Sequence, residues 1–312
     1  MRVLVTRALT PRVEAVLRAE FDVEIRTDDT PLTRAAAMRA LSDFDAILPT
    51  LGDDFGARSF DGAIRTRMLA NFGVGYNHID VARARAVGIT VTNTPGAVTD
   101  ATADIALTLI LMSARRAAEG ERLVRAGGWT GWQPTQMLGQ HVTGKRLGVI
   151  GMGRIGRAIA RRCHYGFGME VVFHNRSAVD PGLPARQVSL AQALGADFVV
   201  LAVPSSPETR HLIGAAELAQ MAPHAHLINI ARGEIVDEVA LIAALQARQI
   251  GGAGLDVYEF EPAVPQALRD LGNVTLLPHL GTATEEVRDA MGLMAVENLR
   301  AFRDGKAPPN VL

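Results

Sequence analysis

The sequence is poor in cysteine and in aromatic residues. Of its 312 residues, one is a cysteine, Cys163, and 5% are phenylalanine, tryptophan or tyrosine. A single cysteine excludes an intrachain disulfide, and so low a cysteine content is typical of a reducing compartment. Because the first residues predict a β-strand rather than a signal peptide, we expect a cytoplasmic protein.

The sequence also lacks an excess of charge and a long hydrophobic run. The formal net charge is −1 at pH 7, with both signs interleaved along the chain. Binding to nucleic acid usually requires a basic face, so we expect no nucleic-acid partner. The strongly apolar run at 105–112 is much shorter than the roughly 20 residues that a membrane-spanning helix needs. We therefore expect no membrane partner either.

Hydrophobic residues are plentiful, at 48%, and they recur in short runs that alternate with helical patterns. The first set of runs predicts strands at 3–6, 23–26, 46–48, 68–72 and 90–92, with helices at 11–20 and 34–41. The second set predicts strands at 147–150, 170–174, 198–202, 227–229, 252–255 and 274–276, with helices at 155–164, 189–194, 215–221 and 238–246. This alternation indicates an α/β protein with two doubly wound parallel sheets.

Two further segments define the predicted domain organisation. One long helix is predicted from about residue 99 to residue 126, followed by a connecting loop at 129–144. The last helix, at 284–303, has no strand of its own, so we expect it to return to the first sheet. We therefore predict one domain formed by residues 1–99 and 284–312, and a second formed by residues 100–283.

A glycine-rich turn follows the first strand of the second set. Gly151 allows a tight turn, Gly153 lets a pyrophosphate approach the backbone, and Gly156 lets the helix pack closely on the strand. The helix N-terminus then presents free N–H groups to the phosphates. The pattern predicts a dinucleotide site; a purely structural turn and a site for S-adenosylmethionine are the alternatives.

The end of the next strand indicates which dinucleotide binds. An NAD site normally has a carboxylate there, which bonds the ribose hydroxyls. This chain has the neutral Asn175, followed by Arg176 and Ser177, which could contact a 2′-phosphate. We therefore predict NADP(H) as the preferred cofactor with NAD(H) possible; the alternative is that Arg176 points to solvent and the protein prefers NAD(H) or uses both.

Five polar side chains follow later strands of the second set, at the edge where doubly wound sheets bind ligands. They are Arg232, Asp256, Glu259, Glu261 and His279. Taken singly, each could be an ordinary turn, cap or surface residue. Taken together, they provide a cation, candidate carboxylates and a histidine, a residue type suited to proton transfer near neutral pH.

With the glycine motif, these residues resemble the D-isomer-specific 2-hydroxyacid dehydrogenase family over essentially the whole chain. The segments 71–80, 99–104 and 127–132 are most similar to its glyoxylate/hydroxypyruvate reductase branch. Ser205 departs from the family pattern, in which a leucine is common at this position. The resemblance implies a Rossmann cofactor domain inserted in a flavodoxin-like substrate domain.

The resemblance also implies roles for individual residues. His279 would be the proton donor, Glu261 would pair with it, and Glu259 competes for that pairing role. Arg232 would bind the substrate carboxylate or the reacting carbonyl. The backbone N–H groups of Val74 and Gly75 would hold the substrate carboxylate from the other domain.

Further residues are assigned to the cofactor and to a second subunit. The expected cofactor contacts are Thr102, Gly151, Gly153, Arg154, Ile155, Gly156, Asn175, Arg176, Ser177, Val203, Pro204, Ile230, Asp256 and Gly281. In the family branch, the loop that carries Trp132 crosses to the active site of the partner subunit, which implies a homodimer. No spacing of ligands indicates a metal site.

The sequence therefore predicts NADP(H)-dependent reduction of a small 2-keto acid of the glyoxylate/hydroxypyruvate type to the D-2-hydroxy acid. Two alternatives remain open at this point. One is a reductase of a longer sugar acid such as 2-ketogluconate. The other is a dinucleotide-sensing binding protein that has the same fold.

Overall fold

The computed structural model describes all 312 residues, which divide into two compact units. The first unit consists of residues 1–98 and 283–312, and the second consists of residues 99–282. The second unit is thus an insertion in the chain of the first. No helix in either unit combines the length and the apolar character needed to cross a membrane.

The first unit contains a five-stranded parallel sheet in the order β2-β1-β3-β4-β5. Its strands are Arg2–Val5 (β1), Asp22–Ile25 (β2), Ala46–Leu48 (β3), Met68–Ala70 (β4) and Thr90–Thr92 (β5). Its helices are Pro11–Glu20 (α1), Arg34–Asp43 (α2), Val81–Ala86 (α3) and Glu285–Arg303 (α11), with a 3-10 turn at Ala57–Phe60. This strand order is that of flavodoxin-like folds.

Helix α11 comes from the end of the chain and packs on α1 in this unit. Gly292 faces Val13, and a Cβ atom at Gly292 would lie 2.5 Å from the side chain of Val13. The absence of a side chain at Gly292 therefore permits the close approach of the two helices. Thr284 caps α11 by accepting a hydrogen bond from the backbone N–H of Val287.

The second unit contains a seven-stranded parallel sheet in the order β12-β11-β10-β9-β6-β7-β8. Its strands are Arg146–Ile150 (β6), Glu170–His174 (β7), Ala185–Gln187 (β8), Phe198–Leu201 (β9), His226–Asn229 (β10), Gly252–Leu255 (β11) and Val274–Leu276 (β12). Read from β6, six strands have the 3-2-1-4-5-6 order of Rossmann folds, and β12 extends the sheet by one strand. The prediction of two doubly wound parallel sheets is confirmed.

The helices of the second unit differ from the prediction in one major respect. They are Thr99–Ala114 (α4), Ala117–Arg125 (α5), Arg154–Phe167 (α6), Leu190–Leu194 (α7), Ala215–Leu218 (α8), Glu238–Gln246 (α9) and Gln266–Arg269 (α10), with a 3-10 turn at Gly233–Ile235. The single helix predicted from 99 to 126 is wrong, because Arg116 has a left-handed conformation with φ 52°. The carbonyl of Ala114 accepts the N–H of Gln140 instead of that of a following helical turn.

Candidate active site

The glycine turn after β6 has the geometry that a dinucleotide pyrophosphate requires. Gly151 has φ 99°, and a Cβ atom there would lie 2.7 Å from the carbonyl oxygen of Ala202. A Cβ atom at Gly156 would overlap the carbonyl oxygen of Gly151, whereas one at Gly153 would meet nothing within 4 Å. Two glycines are therefore required by packing, while the third borders open space at the N-terminus of α6. This arrangement fits a bound phosphate group.

The residues at the end of β7 form a turn beside this glycine loop. The Asn175 Oδ1 atom accepts the N–H of Met152 at 3.3 Å, and its Nδ2 atom donates to the Ser177 carbonyl at 3.0 Å. Arg176 is exposed and forms no hydrogen bond or ion pair within the protein. Hydrogen bonding from Ser206 lowers the pKa of the Glu208 carboxyl, and the positive charge of Arg176 contributes to the same shift.

The other predicted cofactor residues lie in the same unit. Val203 and Pro204 lie two and three residues after the end of β9, and the buried Ile230 directly follows β10. Thr102, on α4, donates from its hydroxyl to the carbonyl of Gly281 at 3.1 Å. Arg154 and Ile155 form the first turn of α6.

A histidine–carboxylate pair lies beyond β11 and β12. The His279 Nδ1 atom lies 2.9 Å from Oε2 of Glu261. The other carboxylate oxygen of Glu261 accepts the N–H of Tyr258 at 2.9 Å. Burial raises the pKa of Glu261, but the hydrogen bond and charge of His279, with the Tyr258 amide and the charge of Arg232, outweigh burial and lower it. Glu261 is thus a carboxylate that orients the imidazole ring, whose Nε2 atom forms no hydrogen bond within the protein.

The backbone that carries His279 is fixed by Asp256. Asp256 is almost fully buried, and its two carboxylate oxygens accept the N–H groups of Leu280 and Gly281 at 2.7 and 2.8 Å. Its carbonyl oxygen accepts the N–H of His279 at 3.0 Å. Burial raises the pKa of Asp256, although these amides partly offset the effect. Besides its predicted contact with the cofactor, Asp256 therefore holds the His279 loop in place.

The loop that carries Arg232 is held by its neighbours on both sides. The Asn229 side chain accepts the N–H of Ala231 at 3.1 Å and donates to the Arg232 carbonyl at 2.9 Å. A Cβ atom at Gly233 would overlap the backbone of Tyr258, so only glycine permits this close approach. Burial lowers the pKa of Arg232, and the negative charges of Glu261 and Glu234 counteract this shift. The guanidinium stays charged at neutral pH, since arginine does not lose its proton in proteins.

Glu259 has a different set of partners from Glu261. Its carboxylate, with only 6% of the side chain exposed, lies 2.8 Å from Nε2 of His211 and 3.1 Å from Nη2 of Arg210. In the structure, therefore, Glu261 pairs with His279 and Glu259 does not. Ser205 donates a hydrogen bond to Glu234 in the same region.

Sequence reasoning missed the positioning roles of several residues: Asn229, Tyr258, Arg210 and His211. A local signal was present for Asn229, which lies in the same short segment as Arg232, and for Tyr258, which lies three positions before Glu261. Glu259, the partner of Arg210 and His211, lies 49 and 48 positions away, too far for a local pattern to show the contact.

The turn at Val74 and Gly75 belongs to the first unit and follows β4. The Asn71 side chain donates to the carbonyls of Gly73 and Gly75, both at 3.0 Å, and Asn93 donates to the carbonyl of Val74 at 3.0 Å. The N–H groups of Val74 and Gly75 have no acceptor within the protein. Two neighbouring free N–H groups of this kind can bind a carboxylate.

The structure contains no cluster of metal ligands, and its one thiol is buried. No group of three or more histidine, cysteine, aspartate or glutamate side chains is placed to hold a metal ion. Cys163 is buried, and burial raises the pKa of its thiol to about 12. This cysteine is therefore not a nucleophile at neutral pH.

Comparison with known proteins gives consistent results for the whole chain. The model of the D-isomer specific 2-hydroxyacid dehydrogenase NAD-binding domain matches residues 107–281. The chain is 43% identical to the glyoxylate reductase of Thermococcus gammatolerans and 42% identical to that of Pyrococcus furiosus. Both alignments cover 100% of this chain and 95% of the relative.

Solved structures agree with this relationship. An NADPH-dependent glyoxylate/hydroxypyruvate reductase from Sinorhizobium meliloti, in complex with NADP and malonate, aligns with a TM-score of 0.89 at 35% identity, covering 100% of this chain and 96% of that one. A protein from Thermus thermophilus aligns with a TM-score of 0.94 at 41% identity, covering 100% of both chains. The chain therefore belongs to the D-isomer-specific 2-hydroxyacid dehydrogenase family of NAD(P)-dependent oxidoreductases.

Proposed function

We propose that this enzyme uses NADPH to reduce small 2-keto acids of the glyoxylate/hydroxypyruvate type to the D-2-hydroxy acids. The observation that carries the proposal is the pairing of His279 with Glu261, in a unit that also holds the buried cation of Arg232. Relatives named glyoxylate reductase, similar over the full chain, support this substrate class.

Each of these three side chains has a task that follows from its surroundings. His279 donates a proton from Nε2 to the substrate oxygen on which negative charge develops. Glu261 accepts the Nδ1 proton and stabilises the charged imidazole. The planar guanidinium of Arg232 binds the carboxylate or the carbonyl of the substrate. The free N–H groups of Val74 and Gly75 bind the substrate carboxylate.

The cofactor is held by the glycine turn, α6 and the turn at Asn175–Ser177. When bound, it supplies the hydride for reduction. The proposed preference for NADP(H) rests on the exposed guanidinium of Arg176 and on the neutral side chain of Asn175 at the end of β7. A carboxylate at that point would repel a 2′-phosphate, whereas an arginine can form charge-assisted hydrogen bonds with it.

The function and the cofactor preference are tested together by following the oxidation of NADPH and NADH at 340 nm. We expect turnover with glyoxylate and hydroxypyruvate, and at least about tenfold higher kcat/KM for NADPH than for NADH. In Arg176→Ala this preference should be largely lost. Arg269→Ala, which changes an exposed arginine on α10, is the matched control and should keep it.

Three results would contradict these proposals. A wild-type enzyme that prefers NADH, or whose preference is indifferent to Arg176, rules out the cofactor assignment. Turnover of 2-ketogluconate with little activity on the two shorter acids would assign the substrate class to sugar acids. Cofactor binding without turnover of any 2-keto acid would indicate a dinucleotide-sensing protein.

We further propose that the enzyme is a homodimer in which Trp132 contacts the substrate site of the partner subunit. Trp132 is 79% exposed and Trp129 is 53% exposed, and exposed large aromatic side chains of this kind mark interaction surfaces. We expect light scattering to give about twice the chain mass of 33.3 kDa. Trp132→Ala should lower kcat/KM for the 2-keto acid by a larger factor than it lowers the affinity for NADPH. A monomer with full activity would exclude the proposal.

A further inference from the structure

The segment after β1 carries an arginine that the protein leaves without a partner. The side chain of Arg7 is half-buried, and its Nε and Nη2 atoms are buried without a hydrogen bond. The side chain takes part in no ion pair of the protein. A buried donor without an acceptor is unfavourable, and a charged donor more so. An unsatisfied buried donor in a native structure calls for an acceptor from outside the chain, such as a ligand.

Arg7 lies where a sheet of this topology binds ligands. In the order β2-β1-β3-β4-β5, the chain leaves β1 toward β2 on one side and leaves β3 toward β4 on the other side. The switch point therefore lies between β1 and β3. Arg7 follows β1, and Gly52 follows β3. A Cβ atom built on Gly52 would lie 3.5 Å from Nη2 of Arg7, so the guanidinium reaches across this crevice.

A buried acid in the turn after β3, Asp53, accepts hydrogen bonds from residues on both sides of the crevice. Asp53 is completely buried and accepts the hydroxyl of Thr6 at 2.6 Å, the N–H of Thr50 at 2.8 Å and the N–H of Leu32 at 2.8 Å. These bonds join the ends of β1 and β3 and give Asp53 no contact with Arg7. Asp53 thus links the two sides of the crevice, and no acid of the protein forms an ion pair with Arg7.

The same edge of the sheet holds the free N–H groups of Val74 and Gly75. Strand β3 alone separates β1 from β4, so two strand spacings of about 4.8 Å place the two backbones roughly 10 Å apart. The N–H of Phe72 donates to the Pro49 carbonyl at 2.9 Å and ties the turn after β4 to the turn after β3. Because the Arg7 side chain reaches toward Gly52, the gap between its guanidinium and the Val74–Gly75 turn is shorter than the distance between the two backbones. A gap of that length suits a molecule of a few carbon atoms.

We propose that Arg7 determines substrate specificity by donating a hydrogen bond to a hydroxyl group on C3 of the 2-keto acid. The inference rests on the proposed function, because it requires a substrate carboxylate on the Val74–Gly75 turn. The preferred substrate class is then a 3-hydroxy-2-keto acid. Its carboxylate binds the Val74–Gly75 turn, and its C3 hydroxyl binds the guanidinium of Arg7. An acid without this hydroxyl leaves the buried Nε and Nη2 donors of Arg7 without an acceptor and binds less well.

Kinetics with two acids that differ in the C3 hydroxyl alone provide the test. Wild-type kcat/KM for hydroxypyruvate should exceed that for pyruvate, and Arg7→Met should lower this ratio about tenfold to a hundredfold. Arg39→Met, which changes an exposed arginine on α2, is the control and should keep the wild-type ratio. A ratio that is unchanged in Arg7→Met overturns the inference.

Thermal melting separates recognition from a structural role. Removing an unpaired buried charge should leave the Tm of Arg7→Met unchanged or raise it, whereas removing a structural arginine would lower it. Loss of activity toward all acids together with a lower Tm would therefore overturn the inference.

A binding measurement on the wild type requires neither turnover nor a folded variant. With NADP present, D-glycerate should raise the wild-type Tm more than D-lactate does, and equal shifts contradict the role of Arg7. An enzyme that reduces no 2-keto acid, yet shows the larger shift with D-glycerate, contradicts the proposed function and supports recognition of the C3 hydroxyl.

Discussion

Replacing His279 with glutamine is expected to lower kcat for 2-keto acid reduction by roughly 10²–10⁴, the range for loss of a general acid. Because Nδ1 of His279 is bound to Glu261, the ring presents Nε2 to a substrate. A glutamine amide can occupy the same space and donate a hydrogen bond, but it cannot transfer the proton. The dissociation constant for NADPH, measured by fluorescence titration, should change little.

The backbone at His279 calls for a second variant. His279 has φ 55°, in the left-handed region that histidine and asparagine tolerate better than most residues. His279→Asn therefore removes the proton donor while it respects the backbone, and it should lose as much kcat as His279→Gln. His141→Gln, at an exposed histidine, is the control. Near wild-type kcat at pH 7 in either His279 variant would show that this histidine is not the acid.

Arg232→Lys is expected to lower kcat/KM by about tenfold to a hundredfold even though the positive charge remains. The guanidinium is planar and can donate two parallel hydrogen bonds to a carboxylate, whereas an ammonium is a point charge. The loop offers a lysine little freedom to compensate, since Asn229 and Gly233 hold its backbone in place. Steady-state kinetics with glyoxylate measure the effect.

Two further variants assign the cause of this loss. Arg232→Met removes both the fork and the charge, so its kcat/KM should fall further than that of the lysine variant. Arg269→Lys, at an exposed arginine, should behave like the wild type. A lysine variant with wild-type kcat/KM would mean that the planar fork of Arg232 has no part in binding.

Features that depend on neighbouring residues could be predicted from the sequence. The alternation of strands and helices predicted both parallel sheets, because hydrophobic periodicity reflects which face of each element is buried. The glycine turn was also recognisable, since the requirements at Gly151 and Gly156 arise within one strand–turn–helix segment. Short elements without a strong periodic pattern, such as β8, α3 and α10, were missed.

The helix break at Arg116 shows where local reasoning failed. Helical periodicity continues through residues 99–126, and no proline or glycine interrupts it at the break. The Ala114 carbonyl nevertheless binds the N–H of Gln140, from a segment that folds back on the helix end. A hydrogen bond between residues this far apart leaves no mark in the local pattern.

The sequence by itself determined the two doubly wound sheets, the glycine turn and the set of residues from which a site could be built. The tertiary structure decided how those residues are paired. Glu259 and Glu261 are two positions apart and equally acidic, so the local sequence could not assign either of them to His279. The packing of Arg210 and His211 against Glu259, across 49 and 48 positions, leaves Glu261 to bind the imidazole. Long-range packing of this kind also left Arg7 without a partner, because burial and pairing depend on contacts that form only in the folded chain.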